Sequence, residues 1–286
     1  MSRGSRVATS GNILTSMRDN YAQHGVDDYY RKVGATYRNP HYPGVRQCLF
    51  SWFTNWWQRE HLSLDTDGPV IFDMACGSGE VTVALQEWWI RGLTIPSTTI
   101  PSSSGSLPLP RRFAPPPVLS DFGPDTPVPK IIATDPYTAE AFRGRVSLPC
   151  AALSFQDVAS GLLPPSSFRL PLRGKDSEVS SQDPPGSELD MVDDPIETIE
   201  MTVCSFALHL IETPSELFAL LWELSTKCRW LVILAPHKKP EIKDGWGWAK
   251  WDVNNWSECR MSDNHGEYLF DRVHCRVYRS LNLPQL

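Results

Sequence analysis

No stretch of the 286 residues stays apolar for the length a membrane helix needs. No two cysteines stand in a CxxC spacing, and no compact apolar run follows the basic residues at the N-terminus. The first absence argues against a helical membrane protein, and the last leaves a secretory leader unexpected. The expected location is therefore cytoplasmic. The nucleus stays open, and so does a mitochondrion, because Arg3, Arg6 and Arg18 precede the first acid, Asp19. The cysteines are seven, an odd number, and scattered (48, 76, 150, 204, 228, 259, 275). That pattern suits reduced, buried thiols rather than a disulfide frame or a zinc site, and no metal is expected. A strong charge of one sign is also missing. The net charge is −6, but residues 171–200 hold nine acids against Arg173 and Lys175, and subtracting their −7 leaves about +1 elsewhere. Charge thus neither demands nor excludes a nucleic-acid partner, and the oligomeric state is not legible.

Two segments lack any hydrophobic period. Residues 95–129 hold ten of the 25 prolines, and residues 160–198 are rich in Pro, Ser, Asp and Glu. Neither buries enough apolar surface to offset its ordering entropy, so both read as long insertions in a folded core. Residues 1–16 read as a disordered tail and 17–67 as a helical cap segment. The catalytic or binding domain then spans 68–286.

What is present is strand–helix alternation. GPVIFDMA (68–75), KIIATD (130–135), AALSFQD (151–157), IEMTVCSFAL (199–208) and CRWLVILAP (228–236) have strand character. Helices are expected after the first, second and fourth, the last opening on Thr213, Pro214 and Glu216 in a capping-box spacing. LFDRVHCRVYRSL (269–281) alternates like an antiparallel strand near an edge. The pattern predicts a doubly wound, mostly parallel α/β sheet. A further helix is expected over PGVRQCLFSWFTNWWQ, before the first strand.

FDMACGSGE (72–80) joins the first strand to its helix through a glycine turn. A phosphate-binding loop needs Gly-Lys-Ser/Thr, whereas Glu80 and Val81 follow Gly79. The dinucleotide fingerprint needs a third glycine where Thr82 stands. Asp73 and Glu80 would also oppose a pyrophosphate at the helix start. S-adenosylmethionine reverses the preference, because it carries an ammonium and a sulfonium. Asp73 would hold the ammonium directly or through water, and the Gly77–Gly79 turn would let backbone approach the ligand. Asp135 would accept from the ribose hydroxyls. Asp157 would accept from the adenine amine, with the Val158 N–H donating to the ring.

D-x-x-C-G-x-G-E at the first strand, acids after the second and third, and S-F-x-L-H after the fourth resemble the class I (Rossmann-like) S-adenosylmethionine-dependent methyltransferases. The resemblance covers roughly 68–281 without the insertions. It implies a seven-stranded sheet with an antiparallel C-terminal strand and methyl transfer to an acceptor that is a small molecule, protein or RNA. It implies cofactor contacts from Asp73, Ala75, Gly77, Gly79, Asp135, Pro136, Asp157 and Val158, with Cys204, Ser205 and Phe206 at the methionine end. The Asn/Asp-Pro-Pro-aromatic motif of many amine methylases is absent, with CSFAL in its place. Two alternatives stay open, a binding subunit that keeps the fold without catalysis and an NAD(P)-dependent oxidoreductase.

Beyond the motifs, His209 stands after the fourth strand as the candidate base. His237 and Lys238 would meet an anionic substrate at the cleft rim. Trp246 and Trp248, in GWGWAKWDVNNW, would stack a flat substrate. Tyr30, Arg38 and His41 would contribute to a lid.

Overall fold

The computed structural model describes residues 38–64, 66–94, 122–123, 125–172, 198–237 and 239–284. The expected tail 1–16, Tyr30, Lys238 and most of both expected insertions lie outside the described residues.

Helix α1 (Tyr42–Glu60) has Pro43 in its first turn, where no backbone N–H is required. Val45, Cys48, Leu49, Trp52, Phe53, Trp56 and Trp57 recur every three to four residues, so one stripe is apolar and buried. It packs on helix α2 (Glu80–Thr94) and on the C-terminal strands. The helix is thus a wall of the core, and just before it Asn39 reaches the cleft described below.

Strands β1 (Val70–Met74), β2 (Lys130–Thr134), β4 (Ile199–Ser205) and β5 (Cys228–Ala235) form a parallel run in the order β2-β1-β4-β5. The short strand β3 (Leu170–Pro171) pairs antiparallel with β2. Strand β9 (Val273–Ser280) pairs antiparallel with β5, and β6 (Trp248–Asp252) then β7 (Ser257–Cys259) continue the sheet outward, while β8 (Tyr268–Phe270) pairs with the start of β9. The sheet is mixed and has nine strands, not the expected seven. The C-terminal strand is antiparallel as expected. It lies inside the sheet rather than near an edge, because GWGWAKWDVNNW contains β6, which covers it.

Helices α2 and α3 (Ala139–Val146) lie on one face of the sheet with α1. On the other face lie α4 (Phe155–Ala159) and α5 (Pro214–Ser225), the latter capped by Thr213, whose hydroxyl accepts the Glu216 N–H at 3.2 Å.

Three sequence expectations are corrected. AALSFQD is not a strand. Only Ala151 bridges to Thr134, and α4 begins at Phe155, because the Ser154 hydroxyl accepts the Asp157 N–H while the Asp157 carboxylate accepts the Ser154 N–H. The segment 95–129 is not wholly insertion. Phe122 is buried, its ring 4.5 Å from Trp89 and 5.2 Å from Trp88, over Gly92, where a Cβ would stand 2.1 Å from that ring. The segment 160–198 likewise contributes β3 and the buried Leu172. Burial of one large ring, or one pair of ladder residues, orders chain whose composition argues for none.

Candidate active-site cleft

A cleft of about 990 Å³ opens at the C-terminal ends of β1, β2 and β4. The chain leaves β1 for β2 on one side and places β4 on the other, so this is the switch point where open α/β sheets bind ligands. Ala75, Cys76 and Gly77 form its floor. Ala75 has φ +53°, Gly77 +58° and Gly79 +86°. The Cys76 N–H donates to the Thr134 carbonyl (3.0 Å), fixing the turn to the end of β2.

Asp135 holds the next corner. Its Oδ2 accepts the Gly77 N–H (3.1 Å), and its Oδ1 accepts the N–H groups of Tyr137 (2.9 Å) and Thr138 (2.8 Å). The carboxylate lines the cleft with Pro136 and Tyr137 beside it. Asp73 is buried beneath the turn and does not line the cleft. Its Oδ2 accepts the hydroxyl (2.7 Å) and N–H (3.2 Å) of Thr82, and its Oδ1 is buried without a partner. Burial pushes this carboxyl up to about 8, against the Thr82 hydrogen bonds and with help from the charges of Glu80 and Asp135. Thr82, which departs from the dinucleotide fingerprint, is therefore the partner of the strand-end acid.

Glu80, read from sequence only as an obstacle to phosphate, is a junction. Its Oε1 accepts the Asn39 N–H (3.1 Å), the Ser78 hydroxyl (2.6 Å) and the Arg145 guanidinium (3.0 Å). Asn39 and Glu80 both line the cleft. His41 stacks on Phe206, ring centroids 5.0 Å apart and planes 16° apart. Partial desolvation, with Arg272 nearby, lowers its imidazole below the ordinary range. Phe206 lines the cleft with φ +58°.

The remaining expected residues divide. Val158 lines the cleft, but Asp157 does not, because its carboxylate is turned onto Ser154 at 2.7–2.8 Å; the Ser154 side chain and backbone hold it below its usual range. Gly79 does not line the cleft; a Cβ there would stand 2.5 Å from Val146 and 3.1 Å from Phe142, so its lack of a side chain serves packing against α3. Cys204 is wholly buried below the floor, and burial raises its thiol. His209 does not line the cleft. Its side chain is exposed on a short 3-10 turn, crowded enough that desolvation, with His237 nearby, lowers its imidazole. His237 is exposed and also outside the cleft. Trp248 is core, its indole donating to the Leu221 carbonyl (2.7 Å), and Trp246 packs edge-on against Phe218. Arg38 is exposed beside Asn39 and does not line the cleft.

Ser205 lines the cleft as expected, and so does Glu212; Leu153, Gln156 and Glu216 line it too and were not assigned to it from sequence. Glu216 reads there only as a helix cap, and nothing in a single sequence says that a cap also faces a cavity. A second hollow, about 1150 Å³, lies by β6, β7 and β9 and shares no residue with the cleft. Its buried cations are tied to main chain, Lys250 to the Asp263 carbonyl and Arg276 to those of Lys239 and Pro240. Among the described residues no cluster of ligands could hold a metal, and no helix is long and apolar enough to cross a membrane.

No protein-family model matches the chain. Among solved structures it is similar to magnesium protoporphyrin IX methyltransferase (ChlM) from Synechocystis PCC 6803 with bound SAM, at 10% identity and a TM-score of 0.40, over 91% of this chain and 92% of that one. It is 38% identical over 272 residues to the uncharacterized protein C17A5.05c of Schizosaccharomyces pombe (strain 972 / ATCC 24843), covering 95% of each. At that identity over nearly the whole of both sequences, the chain belongs to the same family as the fission-yeast protein.

Proposed function

We propose that the protein is a class I, Rossmann-like methyltransferase that uses S-adenosylmethionine. The observation that carries this reading is the charge of the cleft. Asp135, Glu212 and Glu216 line it beside Glu80, which is paired to Arg145, and among the described residues no Lys, Arg or His lines it. Such a lining attracts a ligand with an ammonium and a sulfonium and repels a pyrophosphate. That weighs against the NAD(P) reading.

The residues present fit the cofactor. The Ala75–Gly77 turn would accept its amino-acid end, Asp135 with Pro136 would meet its ribose, and Leu153, Gln156 and Val158 would flank its adenine. Asp73 would act from below by bracing the turn, its Oδ2 holding the Thr82 hydroxyl and N–H. When bound, S-adenosylmethionine supplies a sulfonium methyl group, which an acceptor lone pair takes as the C–S bonding electrons return to sulfur. The chain contributes alignment of the two partners and exclusion of water, and no general base need lie in the cleft unless the acceptor must lose a proton.

Calorimetric titration with S-adenosylmethionine, S-adenosylhomocysteine and NAD tests the reading. Both sulfur nucleosides are expected to bind and NAD is not; the reverse result would overturn it. Asp135→Asn is expected to weaken cofactor binding about 10- to 100-fold, by leaving one of the Gly77, Tyr137 and Thr138 N–H groups facing an amide N–H. Transfer of labelled methyl separates an enzyme from a binding subunit.

A further inference from the structure

The four carboxylates of the cleft are not equivalent. Glu80 is committed to Asn39, Ser78 and Arg145, and Asp135 to Gly77, Tyr137 and Thr138. Glu216 accepts the Thr213 hydroxyl at 2.9 Å. Glu212 has no hydrogen bond or ion pair among the described residues, and its side chain is exposed to the cleft. It follows β4 by seven residues, beyond the turn and corner that would hold the cofactor. In the same stretch the Ser205 Oγ is buried at the cleft without a partner. Next to it stands Phe206, whose ring has His41 stacked on it and whose left-handed backbone is pinned by its N–H to the Leu234 carbonyl (2.8 Å).

A bulky residue at φ +58° is costly, of order 1 kcal/mol or more, and is retained where its side chain must point one way. Here the residue lines the cleft while its ring is held by the stacked His41. The end of β4 therefore combines a fixed aromatic surface, an uncommitted carboxylate and a hydroxyl in need of a partner. An aromatic face attracts cations and flat rings and has no attraction for anions. Among the described residues the basic groups near this end, His41, His237 and Lys239, do not line the cleft. A nucleic acid would need cations along the cleft, and among the described residues none lines it.

We infer that the methyl acceptor is a small molecule with a flat ring and a cationic amine, its ring against Phe206 and its amine on Glu212. This rests on the methyltransferase reading for the word acceptor, but the recognition chemistry can be tested apart from it.

Three probes suffice, titrated into the full chain with and without saturating S-adenosylhomocysteine. They are tryptamine (flat and cationic), indole-3-acetate (flat and anionic) and cyclohexylethylamine (cationic and not flat). Tryptamine is expected to bind at least tenfold tighter than either of the others. Phe206→Leu should abolish the preference for a flat ring yet keep the preference for a cation, and Phe206→Tyr should restore the first. Glu212→Gln should narrow the preference for a cation and keep that for a ring. A merely structural role for either residue would move all three probes together. Equal binding of the three, tighter binding of indole-3-acetate, or no binding at millimolar concentration would overturn the inference. Failure of S-adenosylhomocysteine to bind strikes the methyltransferase reading instead, and the three-probe comparison without it still stands.

Discussion

On one face of the sheet α1 and α2 bring together Trp52, Trp56, Trp57, Trp88 and Trp89, which meet Phe122 and, from the strands, Trp230 and Trp251. The other face is mainly aliphatic, built on Leu217, Leu220, Leu221, Leu224, Leu231 and Ile233, with Phe72, Trp248 and Tyr278 among them. The helices differ in the same way. The aromatic face is covered by helices of 19 and 15 residues, whereas the cleft side carries the five-residue α4 and a three-residue 3-10 turn beside α5. Long helices with interlocking rings make a back wall that resists rearrangement, because large rings leave few alternative packings. Short elements over an aliphatic core can shift at little cost, which suits walls that must admit two ligands. The difference assigns stability to one face and ligand exchange to the other.

The largest break in that comparison is Trp52→Ala. Its indole is fully buried, donates to the Met201 sulfur at 3.1 Å, and contacts Trp230 and Trp256 at 5.4 and 5.6 Å. The loss expected is about 4 kcal/mol, read from urea unfolding, with cofactor affinity of the folded protein little changed. Phe122→Ala comes next, at about 3 kcal/mol. It also sharpens the boundary of the first insertion. Removing residues 96–119 with Phe122 retained should leave stability nearly intact, while removing the ring should not.

Phe122 illustrates why part of the fold was not legible. Its neighbours are prolines and serines, and nothing local says that one ring in that stretch fills the gap above Gly92. The β1–turn–α2 unit, the Thr213 cap and the apolar run of β5 were readable because each is specified by adjacent residues. Asp135 was readable at the site for the same reason, since it ends a strand beside the glycine turn. Asp157 misled because an acid after an apolar run fits both a ligand contact and a capping box, and Ser154 decides for the box only when the backbone is seen. Phe206 was readable at the site because it directly follows the fourth strand, whereas Glu216 depends on which side of its helix start faces the cavity. Trp248 looked free to stack a ligand because its partner, the Leu221 carbonyl, is 27 residues away.

Glu200 tests the aromatic face by charge. It is buried at the foot of that face beside Arg229 (3.3 Å), and burial pushes its carboxyl up to about 7 although Arg229 pulls it down. A carboxyl raised on folding favours the protonated form. Its stabilising contribution is therefore full below its unfolded value, near 4.5, and is lost as pH rises through about 7. Glu200→Gln should flatten that part of the profile, gaining about 2 kcal/mol at pH 8 and almost nothing at pH 4. Thermal melts at the two pH values distinguish this from a pair in which Arg229 dominates, where the variant would lose stability at pH 8.

The smallest effect expected lies on the cleft side, at Ala75. Its left-handed backbone (φ +53°) costs an L-residue about 1–2 kcal/mol, and glycine would remove that cost. Glycine also gives the unfolded chain more freedom, which takes back about 0.5–1 kcal/mol. Ala75→Gly should therefore stabilise the fold by only about 0.5 kcal/mol. The same freedom loosens a turn that must be ordered when the cofactor binds, so affinity for S-adenosylhomocysteine should fall a few-fold while stability holds or rises. Opposite signs for the two measurements would place binding, not stability, in the care of this turn. If stability instead fell by more than about 1 kcal/mol, the Ala75 methyl would be acting as part of the aliphatic cluster it packs against, and the division between the two faces would be less sharp than their composition implies.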